Sequence, residues 1–133
     1  MESARRQDVA TDRLPGRDIQ RIVGKGASLG SARMTVGTAQ YSDDSGPMAP
    51  HQHAEETIFV LNARDAWVQY GPSPDDLPVT IALEPGLTLH IPEWEWHVFC
   101  WKPKGFADVI VIYGQVDNIR PEDVPLASRS KTE

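Results

Sequence analysis

Cysteine is almost absent from this chain: Cys100 stands alone among 133 residues. One thiol closes no internal disulfide, so the core must hold the fold, and the expected setting is a reducing one, the cytoplasm. Basic charge is short as well. Thirteen Lys and Arg against nineteen Asp and Glu leave a formal charge of -6, which excludes the basic face that nucleic acid or an anionic membrane surface requires. No apolar run approaches the roughly 18 residues of a membrane-spanning helix. Residues 1–18 carry Arg5, Arg6, Asp8, Asp12 and Arg13 and lack the apolar centre of a secretory leader. Helical periodicity, internal repeats, phosphate-binding glycine loops, Ser-His-Asp order and Cys-x-x-Cys pairs are all missing.

Turn formers and short apolar runs fill the chain instead, with 11 prolines and 10 glycines among them. Residues 1–17 are polar, end in Leu14-Pro15-Gly16 and read as a flexible arm. Residues 18–23 alternate as a first short strand, and Gly24, Gly26 and Gly30 punctuate the loop after it. Residues 31–41 form the next strand, with Met34, Val36 and Thr38 on one face, before the turn cluster 43–47. Strands follow at 57–61 and 66–70, joined by a tight connection at 62–65. Three prolines in 71–78 stop the chain from continuing a ladder. Further strands are expected at 79–83, 87–91 and 97–101. A turn at 102–105 leads into 107–113, a continuous apolar run expected to be buried. Residues 117–133 form a polar tail with a short helical turn. Many short strands at near-regular spacing predict an all-β sandwich or barrel over residues 18–116, as a single domain.

Within that pattern the chemistry is concentrated. Only four histidines occur, and three lie in two places. His51 and His53 are one residue apart, on one face of an extended segment. Glu55 and Glu56 follow at once, and His97 closes the stretch Ile91-Pro92-Glu93-Trp94-Glu95-Trp96. Imidazole nitrogens and a carboxylate oxygen converging from neighbouring strands make a site for zinc or another transition metal.

These residues resemble the two motifs of the cupins, small jelly-roll (double-stranded β-helix) barrels. Gly46, His51, His53 and Glu56 match the first motif, with Ala63 where its closing glycine stands. Gly86, Pro92 and His97 match the second, with Trp101 in place of its asparagine. The resemblance covers residues 30–115. It implies one divalent transition metal per chain (Fe, Mn, Ni, Cu, Co or Zn), held by His51, His53, Glu56 and His97. His53 is followed by one residue fewer than the pattern before Glu56, so strand parity leaves Glu55 as an alternative ligand.

A metal held by that set keeps adjacent open positions for a bidentate substrate, or for substrate beside dioxygen. The resemblance therefore implies a metalloenzyme acting on a small oxygen-rich or carboxylate-bearing metabolite, as an oxygenase (a dioxygenase among them), a decarboxylase or lyase, or an isomerase. Two other readings compete. One is a non-catalytic barrel that binds a metal or small ligand. The other is a metal-free epimerase type, ranked last because the candidate pocket segments hold few Arg or Lys. Glu93 and Glu95 are weak candidates for acid or base at the mouth, and Trp94, Trp96 and His90 are candidate pocket-lining residues. The partner expected is a small molecule, with no nucleic acid and no membrane. A homodimer is also expected, with residues 18–23 as the sheet edge that pairs.

Overall fold

The computed structural model describes residues 1–117 and 119. Those residues form an all-β fold with no α-helix. Eight strands run as β1 (Thr11–Leu14), β2 (Arg17–Gly24), β3 (Leu29–Gly30), β4 (Thr35–Ser42), β5 (Glu56–Gly71), β6 (Val79–Ala82), β7 (Thr88–Ile91) and β8 (Trp96–Tyr113). Hydrogen-bonded order is β1-β2-β4-β8-β5-β6, with β3 on β2 and β7 on β5. Every pairing is antiparallel except the two-residue contact of β3.

Two long strands organise the barrel. β5 and β8 pair along their whole lengths, from Glu56 opposite Tyr113 to Gly71 opposite Trp96. The sequence predicts a break in each, at 62–65 and at 102–105. The structure keeps both strands running and absorbs the breaks as register shifts between Arg64 and Ala66. Asp65 and Lys104 take up the bend with positive φ of 52° and 68°. Bulges of this kind let one strand turn the corner of a barrel while its ladder continues on either side.

The run 107–113 is not buried throughout. Val109 and Val111 point inward, while Ile112 is 38% exposed. Strand alternation decides this, because a strand with one face on the core sends every second residue outward. Ile58 and Val60 face Val109 and Val111 across the β5–β8 ladder and form the core with Tyr41, Val68 and Phe99. Ile58 is fully buried, so Ile58→Ala is expected to lower stability by about 2–5 kcal/mol. Chemical denaturation of the metal-free protein measures this.

The N-terminal segment carries more order than its polarity predicts. A 3-10 turn at Arg6–Asp8 precedes β1, and Arg6 donates to both carboxylate oxygens of Asp108, at 2.9 and 2.6 Å. β1 covers β2 from Arg17 to Gln20. Residues 18–23 are therefore an interior strand between β1 and β4, and the outer edge belongs to β1. The strand predicted at 31–41 begins only at Thr35. Apart from Asp117 and Ile119, the tail 117–133 with its expected helical turn lies outside the described residues. No helix among the described residues is long and apolar enough to cross a membrane.

Candidate metal centre

Backbone pairing brings the histidines together. His51 lies outside the named strands, yet it forms a bridge with His97 at the start of β8. Each donates its N–H to the other's carbonyl at 3.0 Å. A reciprocal pair of this kind sets the two side chains side by side on one face. The His53 carbonyl accepts from the Trp94 N–H at 2.9 Å, which ties the same segment to the corner before β8. Trp94 has a φ of 67° there.

The rings are held in one tautomer. Nδ1 of His51 lies 2.9 Å from the Ala49 carbonyl, that of His53 lies 2.8 Å from Ala54, and that of His97 lies 2.8 Å from Glu95. A carbonyl oxygen only accepts, so each Nδ1 carries a hydrogen, and in the neutral ring the lone pair is left on Nε2. One nitrogen from each of the three rings lies within 4.8 Å of the others. Ligands about 2.1 Å from a common ion lie up to about 4.2 Å apart, so little movement separates this arrangement from a coordination sphere. His97 is almost wholly buried, and its Nε2 is the one buried side-chain nitrogen or oxygen without a hydrogen-bond partner among the described residues. Such an atom is costly to leave unsatisfied, and a cation beside it would satisfy it. The donor set thus fits a divalent transition metal. Burial, reinforced by the proximity of His51 and His53, holds the His97 pKa well below the usual imidazole range, which keeps the ring neutral and ready to ligate.

The two glutamates separate cleanly. Glu56 opens β5, is buried, and sets Oε1 3.4 Å from His53 Nε2. Burial pushes its pKa up to about 7, against a hydrogen bond from the Tyr113 hydroxyl and the charge of Arg17, which both pull it down. Glu55 points outward and meets His90 Nε2 at 2.6 Å, with both side chains more than half exposed. The structure therefore takes the alternative ligand Glu55 away from the histidines. β5 begins at Glu56, and its alternation turns Glu56 inward and Thr57 outward.

A cavity of about 120 Å³ opens beside the cluster. His51, His53 and Glu56 reach it, and Tyr41, Met48, Phe99 and Tyr113 form its walls. Trp94, Trp96 and His90, expected at the pocket, do not line it. His90 and Glu95 border a separate depression with Val68 and Ile81. Glu93 is exposed, and neither acidic side chain lines the cavity. The part Glu95 plays at the centre is its backbone carbonyl on His97. Parity explains the displacement. His97 faces inward, so its neighbour Trp96 turns away, and the corner carries Trp94 over the outside.

Sequence reasoning missed the cations. Arg17, Arg21 and Lys25 line the cavity, all from β2 and the turn after it. The signal was present in the alternation Arg17-x-Ile19-x-Arg21, which sets two bases on the inward face. Reading residues 18–23 as an outer edge hid it. Tyr113 was likewise read only as the end of an apolar run.

No protein-family model matches the chain, and no curated protein matches it. Solved structures do. The polyketide cyclase RemF from Streptomyces resistomycificus aligns with a TM-score of 0.71 at 20% identity, over 99% of this chain and 92% of that one. The hydroxypropylphosphonic acid epoxidase from S. wedmorenis aligns at 0.62 with 12% identity, over 85% of this chain and 59% of that one. The DMSP lyase DddQ from Ruegeria pomeroyi aligns at 0.60 with 18% identity, over 84% of this chain and 54% of that one. At these identities the likeness is one of fold.

Proposed function

Since the chain has a cupin-type fold, we propose that it is a mononuclear metal-dependent enzyme acting on a small oxygen-rich or carboxylate-bearing metabolite. His51, His53 and His97 supply neutral nitrogens to the ion, and Glu56 supplies the anionic oxygen. The carrying observation is the fixed tautomer of all three rings, with His97 Nε2 buried and unpartnered. A divalent metal bound there acts as a Lewis acid on a substrate oxygen.

The chain's own groups do the rest. Tyr113 donates to Glu56 and orients its carboxylate. Burial and the adjacent Glu56 keep the Tyr113 hydroxyl protonated well beyond neutral pH, so it remains a donor. Tyr41 stacks on Phe99 with centroids 4.6 Å apart, and this wall keeps water from one side of the cavity. Polar ligands at one end and aromatic walls beside them suit a substrate with an oxygen-bearing head and an apolar body. Solved structures of the same fold are named for an Fe(II) enzyme, for lyases and for a cyclase. They support the metal reading and leave oxygenase, lyase and isomerase types within it. A homodimer belongs to the same proposal, with β1 as the edge that pairs.

Elemental analysis after reconstitution tests the reading. The expected result is close to one transition metal per chain. A protein that takes up none is not a metalloenzyme, and a non-catalytic ligand-binding barrel becomes the better account.

A further inference from the structure

We propose that the segment after β8 is a latched strap over the cavity beside the histidines. The Lys25–Asp117 ion pair fastens it, and it swings aside for a ligand to enter. The inference goes beyond the metal reading and can be tested without a metal.

Topology places the strap. β2, β4 and β8 are neighbours in the sheet and alternate in direction. The end of β2 at Gly24, the start of β4 at Thr35 and the end of β8 at Tyr113 therefore share one edge of the barrel. Glu56 opens β5 opposite Tyr113, on that same edge. The chain thus leaves β8 beside the carboxylate expected to ligate.

From Tyr113 the chain crosses back over those strand ends. The Thr35 hydroxyl donates to the Gln115 carbonyl at 2.8 Å, which ties the segment to the start of β4. Lys25 Nζ lies 3.1 Å from the Asp117 carboxylate, which ties it to the turn after β2. Between the two fastenings, the Gln115 side-chain amide donates to the Asp117 carbonyl at 2.6 Å. Val116 and Ile119 are half-buried and line the cavity that His51, His53 and Glu56 also line, whereas Gln115 and Asp117 are exposed. A segment with apolar side chains on a cavity and polar ones in water is a cover.

Its fastening is weak. Residues 114–117 belong to no strand, and the Lys25 and Asp117 side chains are 70% and 65% exposed. An exposed pair shifts an equilibrium by about fivefold at most. A segment held this way opens locally at small cost, as a lid that admits a ligand must. Closed, it keeps water from the ligand cluster.

Labelling with diethyl pyrocarbonate, which acylates unprotonated imidazole, tests this on the metal-free protein, with peptide mass spectrometry reading each histidine. His53, buried on the cavity, reports opening, and His90, more than half exposed on the outside, is the internal standard. Asp117 is not a wall of the cavity, so Asp117→Asn releases the latch without altering the lining. It is expected to speed His53 labelling by about two- to fivefold relative to His90, with the melting temperature unchanged. Lys25→Glu should do at least as much, and combining it with Asp117→Lys should restore the parental rate. Added salt should speed the parent and leave Asp117→Asn unmoved. In the metal-loaded protein, Asp117→Asn should speed extraction of the ion by EDTA by the same factor, with equilibrium affinity unchanged. Equal His53 labelling in the parent and Asp117→Asn overturns the proposal, as does an acceleration that the swapped pair fails to reverse. A metal affinity that falls in Asp117→Asn overturns it too, because the residue would then act on the ion. Latch-dependent labelling in a protein that takes up no metal overturns the metal reading alone.

Discussion

His97→Ala is expected to abolish metal binding, with affinity falling by more than the roughly 10–100-fold typical of losing an outer-shell partner. Removing an imidazole from the barrel leaves a hole, which ordinarily costs a few kcal/mol. Here the same substitution also removes the buried, unpartnered Nε2 and one of three crowded rings, and these effects offset part of that cost. The metal-free variant should therefore melt within a few degrees of the metal-free parent, while the stabilisation that metal gives the parent disappears. His90→Ala and Glu55→Gln act as controls. Their side chains meet each other on the outside, at 2.6 Å, and neither change should alter metal uptake. Calorimetric melting with and without added metal reads all four proteins. A His97→Ala protein that still binds one ion tightly would show that the cluster is not the site.

Metal affinity is expected to rise about tenfold per pH unit up to about pH 7 and to level off above it. The reason is Glu56, whose pKa burial lifts from an ordinary 4.5 to about 7. Below 7 an incoming cation must displace its proton, and above 7 the carboxylate is already ionised. His97 adds no slope in this range, because burial and its neighbours keep it neutral. The same shift governs stability of the metal-free protein. A carboxyl whose folded pKa lies above its unfolded value favours the fold below the unfolded value, and that advantage is lost as pH rises through the folded one. Glu56 alone should thus make the metal-free protein less stable at pH 8 than at pH 5, by up to about 3 kcal/mol. The buried neutral His97 acts in the opposite sense, since its unfolded ring takes up a proton below the ordinary imidazole value. The Glu56 share is therefore read as the difference between the parent and Glu56→Gln. Glu56→Gln is expected to flatten the affinity profile. An affinity that stays level from pH 5 to 8 would remove Glu56 from the coordination sphere.

Strand alternation and turn chemistry made much of the fold legible. Prolines at 72, 74 and 78 end β5 near Gly71, and the β-branched run at 109–112 becomes the C-terminal end of β8. The corners at Asp65 and Lys104 were not legible, because a bulge and a true chain break share the same turn residues. At the centre, His-x-His and the distant His97 announced themselves by rarity. The motif already set Glu56 with the histidines and left Glu55 as the alternative; the start of β5 supports Glu56, since one residue of slip reverses the face. The cations of β2 escaped because their role depends on which strand covers which. The polarity of residues 1–17 gives no sign that β1 will cap that edge and turn Arg17 inward.

X-ray absorption at the metal edge of the reconstituted protein tests the central claim most directly. Three imidazole nitrogens at about 2.0–2.1 Å, with outer-ring scattering from each and one or more oxygens beside them, is the predicted sphere. A shell of oxygen atoms without imidazole scattering would contradict it.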